Sequence, residues 1–142
     1  MNEVAERQKK LIDDFTRFKS WEERYKYVID LGKSLPELPV AYRDDKFLVK
    51  GCQSRVWLHA QKNSAGQIEL FADSDAMIVK GLVAILLRVY SMAQPAEILA
   101  NPPTFIAELG FQSHLSPSRA NGLLAMVKQI MLYAAAIQAM SK

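Results

Sequence analysis

The chain has 142 residues, half of them hydrophobic, with 18 Lys and Arg against 15 Asp and Glu and a formal charge of +3 at pH 7. That length suits one domain, taken as residues 1–142, which buries roughly two thirds of its unfolded surface. One cysteine excludes an internal disulfide and a CxxC redox pair, and beside two histidines it offers no metal-ligand spacing, so no bound metal is expected. Basic and acidic residues interleave along the chain, which nominates neither nucleic acid nor an anionic membrane as a partner. Residues 1–19 are charged throughout and lack a secretory pattern, so a cytoplasmic location is the expectation.

Val4, Gln8, Leu11, Phe15 and Phe18 recur at helical spacing with charged residues between them, which predicts an amphipathic first helix. Ser20 and Glu23 form a capping-box pattern and open a second helix over about 21–34, with Trp21, Tyr25, Val28 and Ile29 on its apolar face. Pro36 and Pro39 end it and leave residues 35–46 as a connecting loop. Phe47, Leu48 and Val49 read as one extended run and residues 56–60 as a second, with Cys52 between them. Turn chemistry at 63–66 and the alternating run 68–71 complete an antiparallel hairpin, in a sheet of two or three strands.

Asp73, Ser74 and Asp75 carry side-chain acceptors before a long apolar run and are expected to cap a buried helix. That run, 77–92, is interrupted by Lys80 and Arg88 and falls short of the roughly 20 residues of a membrane span. It reads as the central core helix, and no membrane association is expected. Pro95 opens a short helix, Pro102 and Pro103 break it, and 104–109 adds a turn or two ended by Gly110. Ser116 and Pro117 open a C-terminal helix with Leu123, Val127, Ile130, Ala134 and Ile137 on its packed face. Helices at both ends with a hairpin between them define an α+β fold, a small antiparallel sheet packed against several helices.

In Lys50-Gly51-Cys52-Gln53-Ser54-Arg55 the thiol sits beside a glycine and between two cations, conditions that favour a turn and a thiolate. The competing reading is a small packed hydrophobe. Cysteine hydrolase chemistry needs a nearby histidine; His59 stands on the following strand, where spacing does not fix its side-chain direction, and nothing local turns His114 back toward the thiol, so a structural or surface role is the expectation for both. Asp73 and Asp75 as paired acid–base carboxylates are less economical than capping, although Asp75 can still meet a partner. Arg119 stands in the first turns of the last helix, where a cation opposes the helix dipole and gains nothing locally. The aromatic and basic mixture over 15–26 suits nucleic-acid stacking, yet its periodicity assigns most of those aromatics to the core.

The residues alone leave a sulfur carrier, a redox sensor and a noncatalytic interaction module open. The string Lys50-Gly51-Cys52-Gln53-Ser54-Arg55-Val56-Trp57-Leu58 resembles the cysteine motif of the SufE family of sulfur acceptors, including the CsdE proteins. Three further segments resemble the family in the same order: Trp21-Glu22-Glu23-Arg24-Tyr25 through Leu35-Pro36-Glu37-Leu38, Ser74-Asp75-Ala76 to Gly81-Leu82, and His114-Leu115-Ser116-Pro117-Ser118-Arg119 to Gly122-Leu123. The resemblance implies the α+β fold shared with iron–sulfur scaffold proteins and a carrier with no cofactor of its own. By the same resemblance Cys52 takes persulfide sulfur from a pyridoxal-phosphate cysteine desulfurase of the SufS or CsdA type. It raises that partner's turnover and passes the sulfur to a SufB-type scaffold or another acceptor. Arg119 and Asp75 match positions associated with docking to the desulfurase. The resemblance also implies a cysteine loop over an apolar hollow, with Gly51 as its pivot.

Overall fold

The computed structural model describes residues 3–140. The expected first helix, α1 (Glu3–Thr16), buries Val4, Gln8, Leu11 and Phe15 on one stripe. Gln8 is polar yet buried, and its amide is fully used: it donates to Pro102 O at 3.1 Å and accepts from Thr104 Oγ1 at 3.1 Å and Phe105 N at 3.3 Å. A buried amide left without such partners would cost about 1–3 kcal/mol, so Gln8 fixes α1 to the proline-broken connection. Helix α2 (Trp21–Lys33) starts where the capping pattern places it, with Ser20 Oγ accepting from Glu23 N at 3.2 Å. The connection after it contains two short 3-10 turns, Val40–Tyr42 and Asp45–Phe47.

Strands β1 (Val56–Lys62) and β2 (Ile68–Ser74) pair antiparallel in unbroken register, from Val56 opposite Ser74 to Lys62 opposite Ile68. Asn63 holds the turn through its side-chain oxygen, which accepts from Ala65 N and Gln67 N, and Gly66 supplies the left-handed residue at φ 80°. The sheet has two strands. The expected third run, 47–49, contributes only an isolated bridge from Leu48 to Trp57, because the 3-10 turn ends at Phe47 and the Cys52 loop begins at once.

Helix α3 (Met77–Tyr90) is the central element and buries eight of its residues, among them Leu82, Ile85, Leu86 and Val89. Its expected acidic cap is absent. Asp73 and Ser74 extend β2 instead, and the residue before the helix, Ala76, has no side-chain cap. The reason lies in tertiary pairing, since Asp73 meets Arg43 and Lys80 while Ser74 and Asp75 bind the backbone of Arg55. Helices α2 and α3 touch backbone to backbone at Gly32 and Gly81, where a Cβ on Gly81 would lie 2.1 Å from Val28 O.

Short helices α4 (Pro95–Ala100) and α5 (Phe105–Glu108) follow the proline signals, and Gly110 turns the chain at φ 76°. One turn of helix, α6 (Phe111–His114), precedes the last helix, α7 (Pro117–Met140). Among the described helices α7, rather than α3, is long and apolar enough by composition to cross a bilayer. One of its faces, Gly122, Leu123, Met126, Val127, Ile130 and Ala134, is buried in the protein's own core. The α+β class and the hairpin stand as expected.

Candidate functional site at Cys52

A hydrogen bond from Val49 N to Val56 O, 2.9 Å long, closes the loop that carries Cys52. Gly51 supplies the left-handed residue that turns this loop, at φ 93°. Its far end is clipped to the junction of β2 and α3. Arg55 N donates to Asp75 Oδ1 at 3.1 Å, Asp75 N returns a 3.3 Å bond to Arg55 O, and Ser74 Oγ donates to the same carbonyl at 2.8 Å. Asp75 is therefore an exposed residue that anchors the cysteine loop, which its position as a supposed helix cap did not suggest.

The clip leaves Cys52 half-buried against the start of α7, its Sγ 3.6 Å from Gly122 O. A Cβ on Gly122 would sit 3.5 Å from that sulfur, so the bare glycine lets the loop lie close to the helix. Burial pushes the Cys52 thiol up, and no neighbouring charge offsets it. The sequence setting between Lys50 and Arg55 favours a thiolate, whereas burial in the tucked loop works against one, because desolvation disfavours the anion.

Cys52 opens onto a cavity of about 270 Å³. Its apolar wall is Val79, Leu82 and Met126, and Ser54, Ser116 and Ser118 supply hydroxyls. Arg119 lines the same cavity from the first turn of α7, so the structure brings together Cys52 and Arg119, which lie far apart in sequence. Among the described residues the Arg119 guanidinium pairs with no carboxylate. Asp75 reaches the site only through the Arg55 clip and is not part of the cavity wall.

The two histidines lie elsewhere. His59 stacks on Tyr42 with ring centroids 4.2 Å apart, and burial together with Lys46 holds its imidazole below the ordinary range. His114 stacks on Trp21 at 4.0 Å with Nδ1 3.0 Å from Gly110 O. Neither lines the Cys52 cavity, and no group of described residues has the composition of a metal site. Sequence reasoning missed the walls Val79, Leu82 and Met126, which are indistinguishable from core positions by periodicity. Gly122 left a signal, because glycine inside a helical pattern costs about 1 kcal/mol against alanine and so calls for a packing reason.

Cys52 is thus half-covered beside a small cavity that Arg119 also lines, and no histidine lines that cavity as the base that cysteine hydrolysis needs. The family model described as "SufE: Fe-S metabolism associated domain" matches residues 9–134. Among solved structures, a hypothetical protein from Thermus thermophilus, determined in solution, aligns with 94% of this chain and 96% of its own at a TM-score of 0.78. At 21% identity it is a likeness of fold.

Proposed function

The chain belongs to the SufE family, a domain associated with iron–sulfur metabolism, and from that premise we propose that Cys52 is a persulfide carrier. The observation that carries the reading is the placement of the only cysteine on a turned loop over a part-apolar cavity within the matched family domain. The Cys52 thiolate attacks the terminal sulfur of a cysteine persulfide on a pyridoxal-phosphate desulfurase. A new S–S bond forms at Cys52, the donor's S–S bond breaks, and the donor leaves as a thiolate. The sulfane sulfur changes hands with no external oxidant or reductant, and Cys52 gives its proton to solvent. Delivery to an iron–sulfur scaffold of the SufB type, or to another acceptor, repeats the step in reverse.

The tucked thiol is raised by burial, so the carrier alternates between two settings. Loop 50–55 swings out to ionise and receive sulfur, then returns the persulfide to the cavity, away from free thiols. Arg119 and Asp75 are exposed at opposite supports of the site and are assigned to docking on the desulfurase. Removal of its persulfide raises the desulfurase's turnover. A redox sensor is less well supported, since sensor thiols combine exposure with a lowered pKa. The reading keeps the cytoplasm as the proposed compartment, where shielding of the persulfide from free thiols matters most.

Intact-mass analysis after incubation with an active cysteine desulfurase and cysteine tests the reading. The expected result is a gain of one sulfur atom, removed by reductant and absent in Cys52→Ser. No gain beside a desulfurase verified to be active overturns it.

A further inference from the structure

Backbone hydrogen bonding along β2 is only half satisfied on its outer edge. Asn63 N bonds Gln67 O to close the hairpin, so the alternate residues Ile68, Leu70 and Ala72 direct their backbone groups away from β1. Ile68 is covered there, donating to Ala93 O and accepting from Met92 N, and Leu70 N reaches Ser91 Oγ at 3.0 Å. Among the described residues, Leu70 O and both backbone groups of Ala72 have no partner on that edge. Both residues are nonetheless buried, and both face a groove of about 500 Å³ between β2, α3 and residues 31–39.

A buried amide and two carbonyls in a row within an apolar groove match the main chain of an added strand. The rim defines the strand's chemistry. Glu37 and Glu69 line the groove without a cation among the described residues, while Arg88 is neutralised by its bond to Asp14. A second copy would bring the same acidic rims together, which disfavours self-pairing.

We propose that the edge of β2 at Leu70 and Ala72 takes an extended segment of a partner protein, apolar at alternate positions and carrying a lysine or arginine. Main-chain bonds supply affinity, the groove reads every second side chain, and the acidic rim selects the basic residue. The groove shares no lining residue with the Cys52 cavity. A partner held here leaves the cysteine free, and the inference stands independently of the persulfide reading.

Panning a phage-displayed library of random heptapeptides on the full chain, then titrating the synthetic winners into isotopically labelled protein, tests this. The expected winners alternate apolar residues around a lysine or arginine and slow exchange of the Ala72 amide at least about tenfold. N-methylation of their alternate amides weakens binding at least about tenfold, and Glu37→Lys with Glu69→Lys weakens it about fivefold. Winners that leave Ala72 unprotected, or that tolerate N-methylation, overturn the proposal. A concentration-dependent dimer that protects Ala72 overturns it in favour of a second copy.

Discussion

Two glycine contacts in this molecule look alike in sequence and differ in kind. At the crossing of α2 and α3, a Cβ on Gly81 would lie 2.1 Å from Val28 O and 2.5 Å from its side chain, and one on Gly32 would lie 2.8 Å from Gly81 N. No side chain fits there, because the obstacle is backbone. Where the Cys52 loop meets α7, a Cβ on Gly122 meets Cys52 Sγ at 3.5 Å, and one on Gly51 meets Ala125 Cβ at 3.4 Å. The first contact locks two helices into a platform, while the second is an ordinary touch that a loop can break. The proposed carrier needs both, a fixed cavity wall and a thiol that can leave it.

Gly81→Ala tests the rigid half most severely. Its methyl gains about 1 kcal/mol of helix propensity but must push α2 off α3, so a net loss of about 3 kcal/mol or more is expected. Urea denaturation reads this as a lowered midpoint, and an unchanged midpoint removes the contrast between the two contacts. Asp73→Ala comes next. That carboxylate is buried and joins Arg43, which also covers the Trp57 ring, to Lys80 of α3. Its partners are partly exposed and water screens them, so a loss of about 2 kcal/mol is expected.

The same carboxylate gives a pH signature. Burial pushes the Asp73 carboxyl up, but bonds from Arg43, Ser74 N and Lys80 outweigh it and hold the group below the usual carboxylate range. A depressed folded pKa contributes stability that is complete above the unfolded value, about 3.9, and is lost as pH falls through the folded value. Asp14, held low chiefly by Arg88, adds to the same acid limb. Stability in urea titrations should hold down to about pH 4 and fall below it, and Asp73→Asn should make that fall shallower.

The platform was largely legible in the sequence and the site only partly so. The α1 stripe, the Ser20 cap, the hairpin turn and the proline-opened helices are local, so periodicity and capping chemistry revealed them. Asp73, Ser74 and Asp75 misled because a cap and a tertiary clip use the same residue types. Only the fold brings Arg43 and Arg55 to them and tips the balance. The Cys52 motif was legible as a turned loop, but the burial of its thiol was not. Lys50 and Arg55 flank it in sequence, whereas its actual environment is set by Gly122 and the cavity wall on α3 and α7.

Ser74→Ala tests the clip. It removes the hydroxyl that donates to Arg55 O at 2.8 Å and accepts from Ala76 N at 3.3 Å, leaving the Asp75 bonds in place. A stability loss of about 1 kcal/mol is expected. Iodoacetamide labelling of Cys52 at pH 7 should quicken by a larger factor than this global loss explains, because the freed loop exposes the thiol more often. Labelling that only tracks global stability makes the loop part of the rigid platform.

Gly122→Ala has the smallest effect on the fold and the sharpest effect on the contrast. Alanine is favoured in a helix by up to about 1 kcal/mol over glycine, and its methyl would meet Cys52 Sγ at ordinary contact distance. Global stability should therefore hold or rise. The methyl covers the sulfur a little further without forcing the loop aside, and the loop is held there only by a weak S–H donor to Gly122 O. Labelling followed against pH should show both the wild-type and the variant thiol titrating above the ordinary cysteine value. A fold that holds or gains stability, beside the large loss in Gly81→Ala, is the outcome that an ordinary contact on a fixed platform requires. A variant that loses stability on the scale of Gly81→Ala makes Gly122 the same kind of contact as Gly81, and the cavity then cannot release its cysteine by loop motion alone.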